Sequence, residues 1–223
     1  MTSRDERPLT VRLKTKKKRT VSQKRWLERQ LNDPYVARAK REGLRSRAAF
    51  KLIEIDDKYH LLKGGGRVLD LGAAPGGWSQ VAAQAVAPGG HVFALDLLEM
   101  PPLPGVDHVR GDFSSAETVA ELERRLAGRP VDLVLSDMAP NMSGIAVVDQ
   151  ARMMALAEFA RDFALKHLKP QGKFLVKLFQ GAGFEPFLRT MRACFMQVLV
   201  RKPEASRGRS KEVYLLGKGM KNG

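Results

Sequence analysis

The chain is poor in cysteine and in acidic residues, and it contains no long apolar run. Cys194 is the only cysteine among the 223 residues, so no disulfide can form within the chain. The four histidines are scattered, and no Cys/His spacing suggests a zinc site, so we expect no bound metal. No apolar stretch approaches the roughly 18 residues that a membrane span needs, and the polar, basic N-terminus lacks the apolar core of a signal peptide. We therefore expect a cytoplasmic protein without membrane contact.

The shortage of acids leaves a large positive charge. The sequence has 39 Lys and Arg against 24 Asp and Glu, a formal net charge of +15. Such an excess indicates a polyanionic partner or an acidic surface, and nucleic acid is the first candidate. Ten of the basic residues and only two acids fall within residues 1–25. We predict a disordered basic arm over residues 1–21, which either contacts RNA or only aids solubility.

Residues 22–223 are predicted to form one domain that begins with a helical lead-in over 22–62. Asp33 is suited to cap a short helix with Pro34 at its first position, and Gly43 would end it. Ser46 is predicted to cap a second helix that carries the apolar residues from Phe50 onward.

After three glycines at 64–66, the chain alternates between strand and helix patterns. Strands are predicted at 67–71, 91–96, 106–110, 131–136, 172–179, 196–202 and 211–217. Helices are predicted at 77–86, 115–127, 147–168 and 184–194. This alternation predicts an α/β fold, with a seven-stranded, mostly parallel sheet and helices on both faces. Because no helix separates the last two strands, we expect a C-terminal antiparallel hairpin.

A glycine-rich turn follows the first predicted strand, in the segment Asp70-Leu-Gly-Ala-Ala-Pro-Gly-Gly-Trp78. A strand, glycine loop and helix form a ligand cradle at the carboxyl edge of open α/β sheets. The spacing is not G-x-G-x-x-G, which disfavours a nicotinamide-dependent oxidoreductase, and the phosphate-loop lysine is absent. The pattern D-L-G-x-x-P-G-G is similar to the S-adenosylmethionine loop of methyltransferases. The alternative is a glycine turn in an unrelated α/β protein.

Carboxylates also follow the next two strands. Asp96, at the end of the second strand, can accept hydrogen bonds from both ribose hydroxyls of a nucleoside, and Asp112 can accept from an adenine amino group. A helix cap and a turn residue are the alternatives for these two positions.

Asp137 and Lys177 are less easily explained by structure alone. Asp137 follows the apolar fourth strand, and Lys177 interrupts the apolar run from Phe174 to Phe179. Since lysine is almost never buried unpaired, Lys177 needs a carboxylate neighbour, a functional role or a solvent-facing edge.

These residues together resemble the FtsJ/RrmJ family of ribose 2′-O-methyltransferases, which belongs to the Rossmann-like class I enzymes. The resembling segments are Gly43–Lys51, Asp70–Gln80, Ser136–Gly144, Val176–Gly181 and Ser210–Tyr214. The resemblance implies a catalytic tetrad at Lys51, Asp137, Lys177 and Glu212. It implies cofactor contacts at Gly76, Trp78, Asp96, Asp112 and Asp137. The N-terminal arm is longer than the family leads us to expect.

The resemblance implies that S-adenosylmethionine donates the methyl group and that no metal is needed. Lys177 would be the base that takes the proton of a ribose hydroxyl, with Asp137 orienting it. Lys51 and Glu212 would complete the network and touch the substrate ribose. Burial and the Lys51 cation would favour the neutral, basic form of Lys177, and the two carboxylates would oppose it.

The family also implies a partner, which is a uridine of 23S ribosomal RNA within the large ribosomal subunit, with a role in late ribosome assembly. Transfer RNA or messenger-cap substrates and a non-catalytic RNA-binding assembly factor are the alternatives. No obligate protein partner is evident, so we expect a monomer. Candidate phosphate contacts are Arg45, Arg47, Arg201, Lys202, Arg207, Arg209 and Lys211.

Overall fold

A computed structural model describes residues 24, 27, 28, 30–208 and 210–221. The helices of the described part are α1 Pro34–Arg41, α2 Ala49–Tyr59, α3 Gly77–Val86, α4 Ala116–Leu126, α5 Ala146–His167 and α6 Phe184–Cys194. The strands are β1 Arg67–Leu71, β2 His91–Asp96, β3 Val106–Arg110, β4 Val131–Ser136, β5 Leu168–Phe179, β6 Phe195–Arg201 and β7 Glu212–Met220. The predicted arm over residues 1–21 lies outside the described residues.

The strands form one seven-stranded sheet in the order β3-β2-β1-β4-β5-β7-β6. The pairs from β3 to β5 are parallel, and β7 runs antiparallel to both β5 and β6. The α/β fold with a mostly parallel sheet is confirmed, and so is the antiparallel pairing of the last two strands. The strand order reverses between β1 and β4, because β2 lies on one side of β1 and β4 on the other, and open α/β sheets bind ligands at that point.

Helices cover both faces of the sheet, as predicted. On one face, α2 and α3 contribute Leu52, Ile55, Trp78 and Ala82 to a buried cluster with the strands. On the other face, α4, α5 and α6 pack a larger cluster that includes Leu122, Phe163 and Met191. Strands that are apolar on both faces are expected in this layered arrangement, and β4 shows this with Leu133 and Val134 both fully buried.

Of the two lead-in helices, α1 begins and ends as the sequence predicts, whereas α2 lacks the predicted cap. Asp33 caps α1 by accepting a hydrogen bond from the Tyr35 backbone N–H at 3.1 Å, and Gly43 follows with φ 68°. The prediction that Ser46 caps the second helix is wrong. A turn of the backbone at Ser46–Ala48 precedes α2, so the helix begins only at Ala49 with no side-chain cap.

Other boundaries differ slightly from the predicted ones. The largest difference is in β5, which begins at Leu168 rather than 172, since a register irregularity against β4 lets Pro170 and its neighbours join the strand. No described helix has the length and apolarity to cross a membrane. Within the same residues, no group of three or more His, Cys, Asp or Glu could hold a metal ion.

Candidate active site

The predicted site residues meet at the carboxyl edge of the parallel strands. Asp96 ends β2, Asp137 directly follows β4, and Asp112 lies two residues after the end of β3. Lys177 lies two residues before the end of β5, and Glu212 begins the antiparallel neighbour β7. The register pairs Lys177 with Tyr214. The topology therefore gathers residues that are far apart in the sequence.

The glycine loop after β1 approaches its surroundings too closely for side chains. A Cβ at Gly72, where φ is +80°, would lie 2.8 Å from the Met138 backbone nitrogen. A Cβ at Gly76, where φ is +103°, would lie 2.8 Å from Met100 Sδ. Because α3 begins at Gly77, its first backbone N–H groups have no partners within the helix and face this loop. This is an anion-favouring helix end beside a narrow cradle.

Two carboxylates stand beside the cradle. Asp96 is held from the backbone, accepting from the Ala74 N–H at 2.9 Å and from the Leu98 N–H at 2.8 Å. Asp112 is exposed and accepts from both the N–H and the hydroxyl of Ser114, at 2.8 and 2.7 Å. These hydrogen bonds lower the pKa of the Asp112 carboxyl. Both carboxylates keep lone pairs for a ligand, because Asp112 accepts both hydrogen bonds on Oδ1 and each oxygen of Asp96 accepts only one of the two.

Asp70 is a further acid of the site, to which sequence reasoning gave no role. It is fully buried in β1, and its Oδ2 accepts from the Ser79 hydroxyl at 2.6 Å, while Oδ1 has no partner. Burial raises the pKa of this carboxyl to about 7, and the nearby charges of Asp137 and Asp96 add to the effect. Asp70 is therefore an acid that ionises near neutral pH.

The four predicted catalytic residues form one connected network. Lys177 Nζ lies 3.0 Å from Asp137 Oδ1 and also donates to the Asp137 backbone carbonyl. Lys51 Nζ lies 2.7 Å from Glu212 Oε1. The two ion pairs are joined by Tyr214, whose hydroxyl accepts from Lys51 Nζ at 3.0 Å and donates to Asp137 Oδ1 at 2.9 Å.

The network lies at the boundary between core and solvent. The side chains of Lys177 and Asp137 are 8% and 18% exposed. Burial alone would raise the pKa of Asp137, but Lys177, Lys51 and the hydrogen bonds outweigh it and hold the pKa below its usual value. Burial and the neighbouring carboxylates raise the pKa of Tyr214 well above its usual value, so the phenol stays protonated. Asp137 is thus an ionised acceptor at neutral pH.

The structure decides between the alternatives for Lys177. β5 lies inside the sheet between β4 and β7, so Lys177 is not on a solvent-facing edge. It has the carboxylate neighbour that its burial requires, which is Asp137.

Two aromatic residues support the site. Tyr214, which links the two ion pairs, was not predicted as a site residue; its polar hydroxyl within an otherwise apolar strand was the available signal. Trp78 is buried, its indole N–H donates to the Ala48 carbonyl at 2.7 Å, and its ring lies 5.7 Å from that of Tyr214. Its side chain therefore supports the core, and the cofactor contact of Trp78 stays a prediction.

Several candidate phosphate contacts are engaged within the protein. Arg47 pairs with buried Asp33 and with the Ala205 carbonyl, and its side chain is only 14% exposed, so it joins the lead-in to the loop between β6 and β7. Arg45 donates to the carbonyls of Pro101 and Pro102, at 2.6 and 2.7 Å. The others with internal partners are Arg201, Lys202 and Arg207. Lys211 is exposed, and Arg209 lies outside the described residues.

The residues present fit S-adenosylmethionine. The cradle at Gly72 and Gly76 excludes side chains, and Asp96 and Asp112 are fixed carboxylates of the kind that ribose hydroxyls and an adenine amino group can donate to. With the doubly covered sheet and its antiparallel seventh strand, this fold and site define a class I S-adenosylmethionine-dependent methyltransferase.

Comparison with known proteins identifies the family. The FtsJ-like methyltransferase family matches residues 44–220, and the chain belongs to this family. The ribosomal RNA large subunit methyltransferase E of Dechloromonas aromatica is 58% identical over 204 residues, covering 92% of this chain and 100% of the relative. The enzyme with the same description in Azoarcus sp. is 60% identical over 200 residues, covering 90% of this chain and 98% of the relative.

A solved structure gives the same result. The crystal structure of a protein described as a ribosomal RNA methyltransferase from Plasmodium falciparum superposes with a TM-score of 0.71 at 29% sequence identity. The match covers 79% of this chain and 98% of that chain. The family predicted from the sequence motifs is confirmed.

Proposed function

We propose that the protein transfers a methyl group from S-adenosylmethionine to the ribose 2′-hydroxyl of a uridine in 23S ribosomal RNA of the large ribosomal subunit. The observation that carries this proposal is the buried pair of Lys177 and Asp137 beside the glycine cradle, with Lys51 and Glu212 joined to it through Tyr214. The relatives' description as ribosomal RNA large subunit methyltransferases supports the RNA substrate.

When bound, S-adenosylmethionine supplies a methyl group on a good leaving group. The protein must then hold the acceptor oxygen in line and remove its proton. Orientation of the two reactants supplies a large share of the rate, and a positioned base contributes about 10²- to 10⁴-fold.

Lys177 is the proposed base, and its hydrogen bonds support this assignment. A neutral amine has two N–H bonds and one lone pair. Both N–H bonds have acceptors on Asp137, which are its backbone carbonyl and its Oδ1. The lone pair of Lys177 Nζ therefore points in the remaining direction, and it is free to accept the proton of a ribose hydroxyl.

Asp137 has two tasks in this proposal. It fixes the direction of the Lys177 amine, and it stabilises the ammonium that forms when Lys177 takes the proton. The second task requires an ionised carboxylate, and the lowered pKa of Asp137 keeps it in that form. Lys51 and Glu212, through their ion pair at 2.7 Å, position the substrate ribose at the same edge.

The cofactor roles follow from the geometry of the cradle. We assign the ribose hydroxyls to Asp96 and the adenine amino group to Asp112. We assign the backbone of Gly76 and Trp78, at the start of α3, to the amino-acid part of the cofactor, whose carboxylate suits a helix N-terminus.

We propose that the protein acts on the assembled large subunit in the cytoplasm, as a monomer, and supports late ribosome assembly. The basic arm over residues 1–21 is a candidate for further RNA contact, since it carries much of the positive charge.

The direct test uses large ribosomal subunits from cells that lack this protein. The purified protein and methyl-labelled S-adenosylmethionine should label the 23S RNA of these subunits and leave subunits from parent cells unlabelled. Labelling of transfer RNA instead would show that transfer RNA is the substrate. Binding of S-adenosylmethionine by calorimetry without any RNA labelling would favour a non-catalytic assembly factor, and binding of NAD instead would point to an oxidoreductase.

A further inference from the structure

A group of cations surrounds Tyr59 on the face of the sheet that carries α2. We call Tyr59, Lys63, Lys173, Arg201 and Lys218 the Tyr59 surface. The guanidinium carbon of Arg201 lies 5.0 Å from the centroid of the Tyr59 ring, and Lys218 Nζ lies 5.2 Å from it. Arg201 Nε also donates to the Tyr59 hydroxyl. Lys58 Nζ lies 5.8 Å from the same centroid, so three cations gather at this ring.

The strand register places this surface on the same face as the catalytic network. Lys173 pairs with Lys218 across β5 and β7, and Lys177 pairs with Tyr214 four residues away on each strand. Side chains four residues apart share a face of the sheet, and at about 3.3 Å per residue they are roughly 13 Å apart. Arg201 on β6 pairs with Tyr214, and its guanidinium contacts the Tyr59 ring beside Lys218. It therefore connects the Lys177–Tyr214 pair with the Lys173–Lys218 pair. Cations therefore extend from the catalytic network towards the amino end of β5.

The cations of this surface lack acidic partners. Among the described residues, no carboxylate lies within salt-bridge distance of Lys63, Lys173, Arg201 or Lys218. Lysines and arginines on the opposite face of the sheet frequently have an acidic partner, as Lys166 does with Glu123 at 2.6 Å.

The electrostatic surroundings of Lys173 are also positive on balance. Burial and the charges of Lys63 and Lys218 lower the pKa of Lys173, and Asp56 opposes them. One oxygen of Asp56 is occupied, because Oδ1 accepts from two backbone N–H groups, those of Leu61 at 2.6 Å and Leu62 at 2.8 Å. An anion placed here would relieve repulsion between lysines.

A cavity of about 260 Å³ adjoins these lysines at the amino edge of the sheet. Lys63 and Lys173 line it together with Gln171 and the three glycines at 64–66. Asp132 also lines it but is paired with Lys169 at 2.6 Å. The cavity offers amine donors and space for a phosphate group.

We propose that the Tyr59 surface binds the phosphodiester backbone of the RNA at a point remote from the acceptor ribose. This inference rests on the proposed function, because it assigns a second contact to the same substrate. A row of spaced amines suits a chain of phosphates, and its position on the face of Lys177 lets one RNA strand reach both places. Phosphate contacts of this kind fix the register of a substrate without reading its bases.

The test is the double variant Lys63→Gln, Lys218→Gln in the full-length protein. Neither residue belongs to the tetrad, Lys63 is exposed and Lys218 is half-buried, and glutamine keeps most of each side chain. The control is Lys166→Gln, Arg189→Gln, which removes the same charge from α5 and α6 on the opposite face. Affinity for S-adenosylmethionine, measured by calorimetry, should match the parent in both variants and shows that each is folded.

The readouts are the Kd for large subunits lacking the methylation and its dependence on salt. The Tyr59-surface variant should bind roughly tenfold more weakly or worse than the control, and its log Kd against log salt should have a slope smaller by about 1.4. In turnover, the loss should appear mainly in KM. Equal Kd and equal slope for the two variants would overturn the proposal.

Failure of the proposed function gives a different pattern. If the parent binds ribosomal particles but transfers no methyl group, the catalytic assignment fails, and the difference in salt slope between the two variants still decides whether the Tyr59 surface holds RNA. If the parent methylates RNA and both variants behave alike, the function stands and the Tyr59 surface is not an RNA contact.

Discussion

The hydroxyl of Tyr214 donates a hydrogen bond to Asp137 Oδ1 at 2.9 Å, from a side chain that is itself fully buried. The same hydroxyl accepts from Lys51 Nζ at 3.0 Å. Asp137 Oδ1 therefore accepts hydrogen bonds from both the Tyr214 hydroxyl and Lys177 Nζ. The ion pairs Lys177–Asp137 and Lys51–Glu212 thus belong to one hydrogen-bonded unit. Removing the Tyr214 hydroxyl should disturb proton transfer at Lys177 without breaking either ion pair.

Tyr214→Phe tests this link. The ring should keep its packing against Trp78, while Asp137 loses a donor and Lys51 an acceptor. A hydrogen bond to a charged group contributes about 1.5–3 kcal/mol, so we expect kcat to fall at least about tenfold and the affinity for S-adenosylmethionine to change little. Tyr35→Phe on α1 is the matched control. If kcat for Tyr214→Phe equals that of the control, Tyr214 has no part in catalysis.

Lys177→Met tests the base. Methionine is close in length and fills the same space, but it has no lone pair of comparable basicity. Turnover should fall by about 10²- to 10⁴-fold, with nearly unchanged calorimetric affinity for S-adenosylmethionine, since the base acts in the transition state. Lys169→Met on the same strand, whose partner is Asp132, should retain activity. Activity of Lys177→Met within a few-fold of the parent would remove Lys177 from the base role.

Asp96→Ala tests the cofactor site. The change deletes a carboxylate that is fixed by the Ala74 and Leu98 N–H groups and offered to the ribose. Loss of charge-assisted hydrogen bonds should weaken S-adenosylmethionine binding by roughly tenfold or more in calorimetry. Asp162→Ala, an exposed acid on α5, should bind like the parent. Unaltered binding by Asp96→Ala would show that β2 does not contact the cofactor.

Asp70 should make stability depend on pH. In the folded protein its pKa is raised to about 7, whereas an unfolded aspartate ionises near about 3.9. The folded state therefore keeps a proton that the unfolded state loses, so this group's contribution is fully present below about pH 4 and is lost as the pH rises through about 7. The loss should be on the order of a few kcal/mol.

Denaturant unfolding of the parent and of Asp70→Asn at about pH 5 and about pH 8 measures this contribution. Asparagine keeps an acceptor for the Ser79 hydroxyl and does not ionise. The parent should lose stability between the two pH values relative to the variant. Parallel pH profiles would show that Asp70 does not titrate in this range.

Much of the fold could be predicted from the sequence because its patterns are local. The strands β1 to β4 have the predicted bounds, and the bounds of α3 and α6 also agree. Ser46 shows where local reading fails: a serine ahead of an apolar helix looks like a cap, but a turn intervenes and its side chain faces α3, where a Cβ on Gly77 would lie 2.1 Å from its hydroxyl oxygen.

The four residues of the tetrad and the contact between Lys177 and Asp137 were predicted, but the link through Tyr214 was not. Motifs identified Lys51, Asp137, Lys177 and Glu212, since each belongs to a recognisable segment. The link through Tyr214 depends on the pairing of β5 with β7, which sequence does not specify. The same holds for Arg47, whose charge suggested phosphate contact and whose partner Asp33 lies fourteen positions away.

The most direct test of the account is the identity of the methylated atom. RNA labelled by the protein from methyl-tritiated S-adenosylmethionine is hydrolysed completely with alkali, which cleaves RNA through attack of each 2′-hydroxyl on its own phosphate. Methylation of the 2′-oxygen removes that nucleophile, so the account predicts label in alkali-resistant dinucleotides. Label recovered in mononucleotides would mean that a base is methylated, and it would contradict the assignment of Lys177 as the base for a ribose hydroxyl.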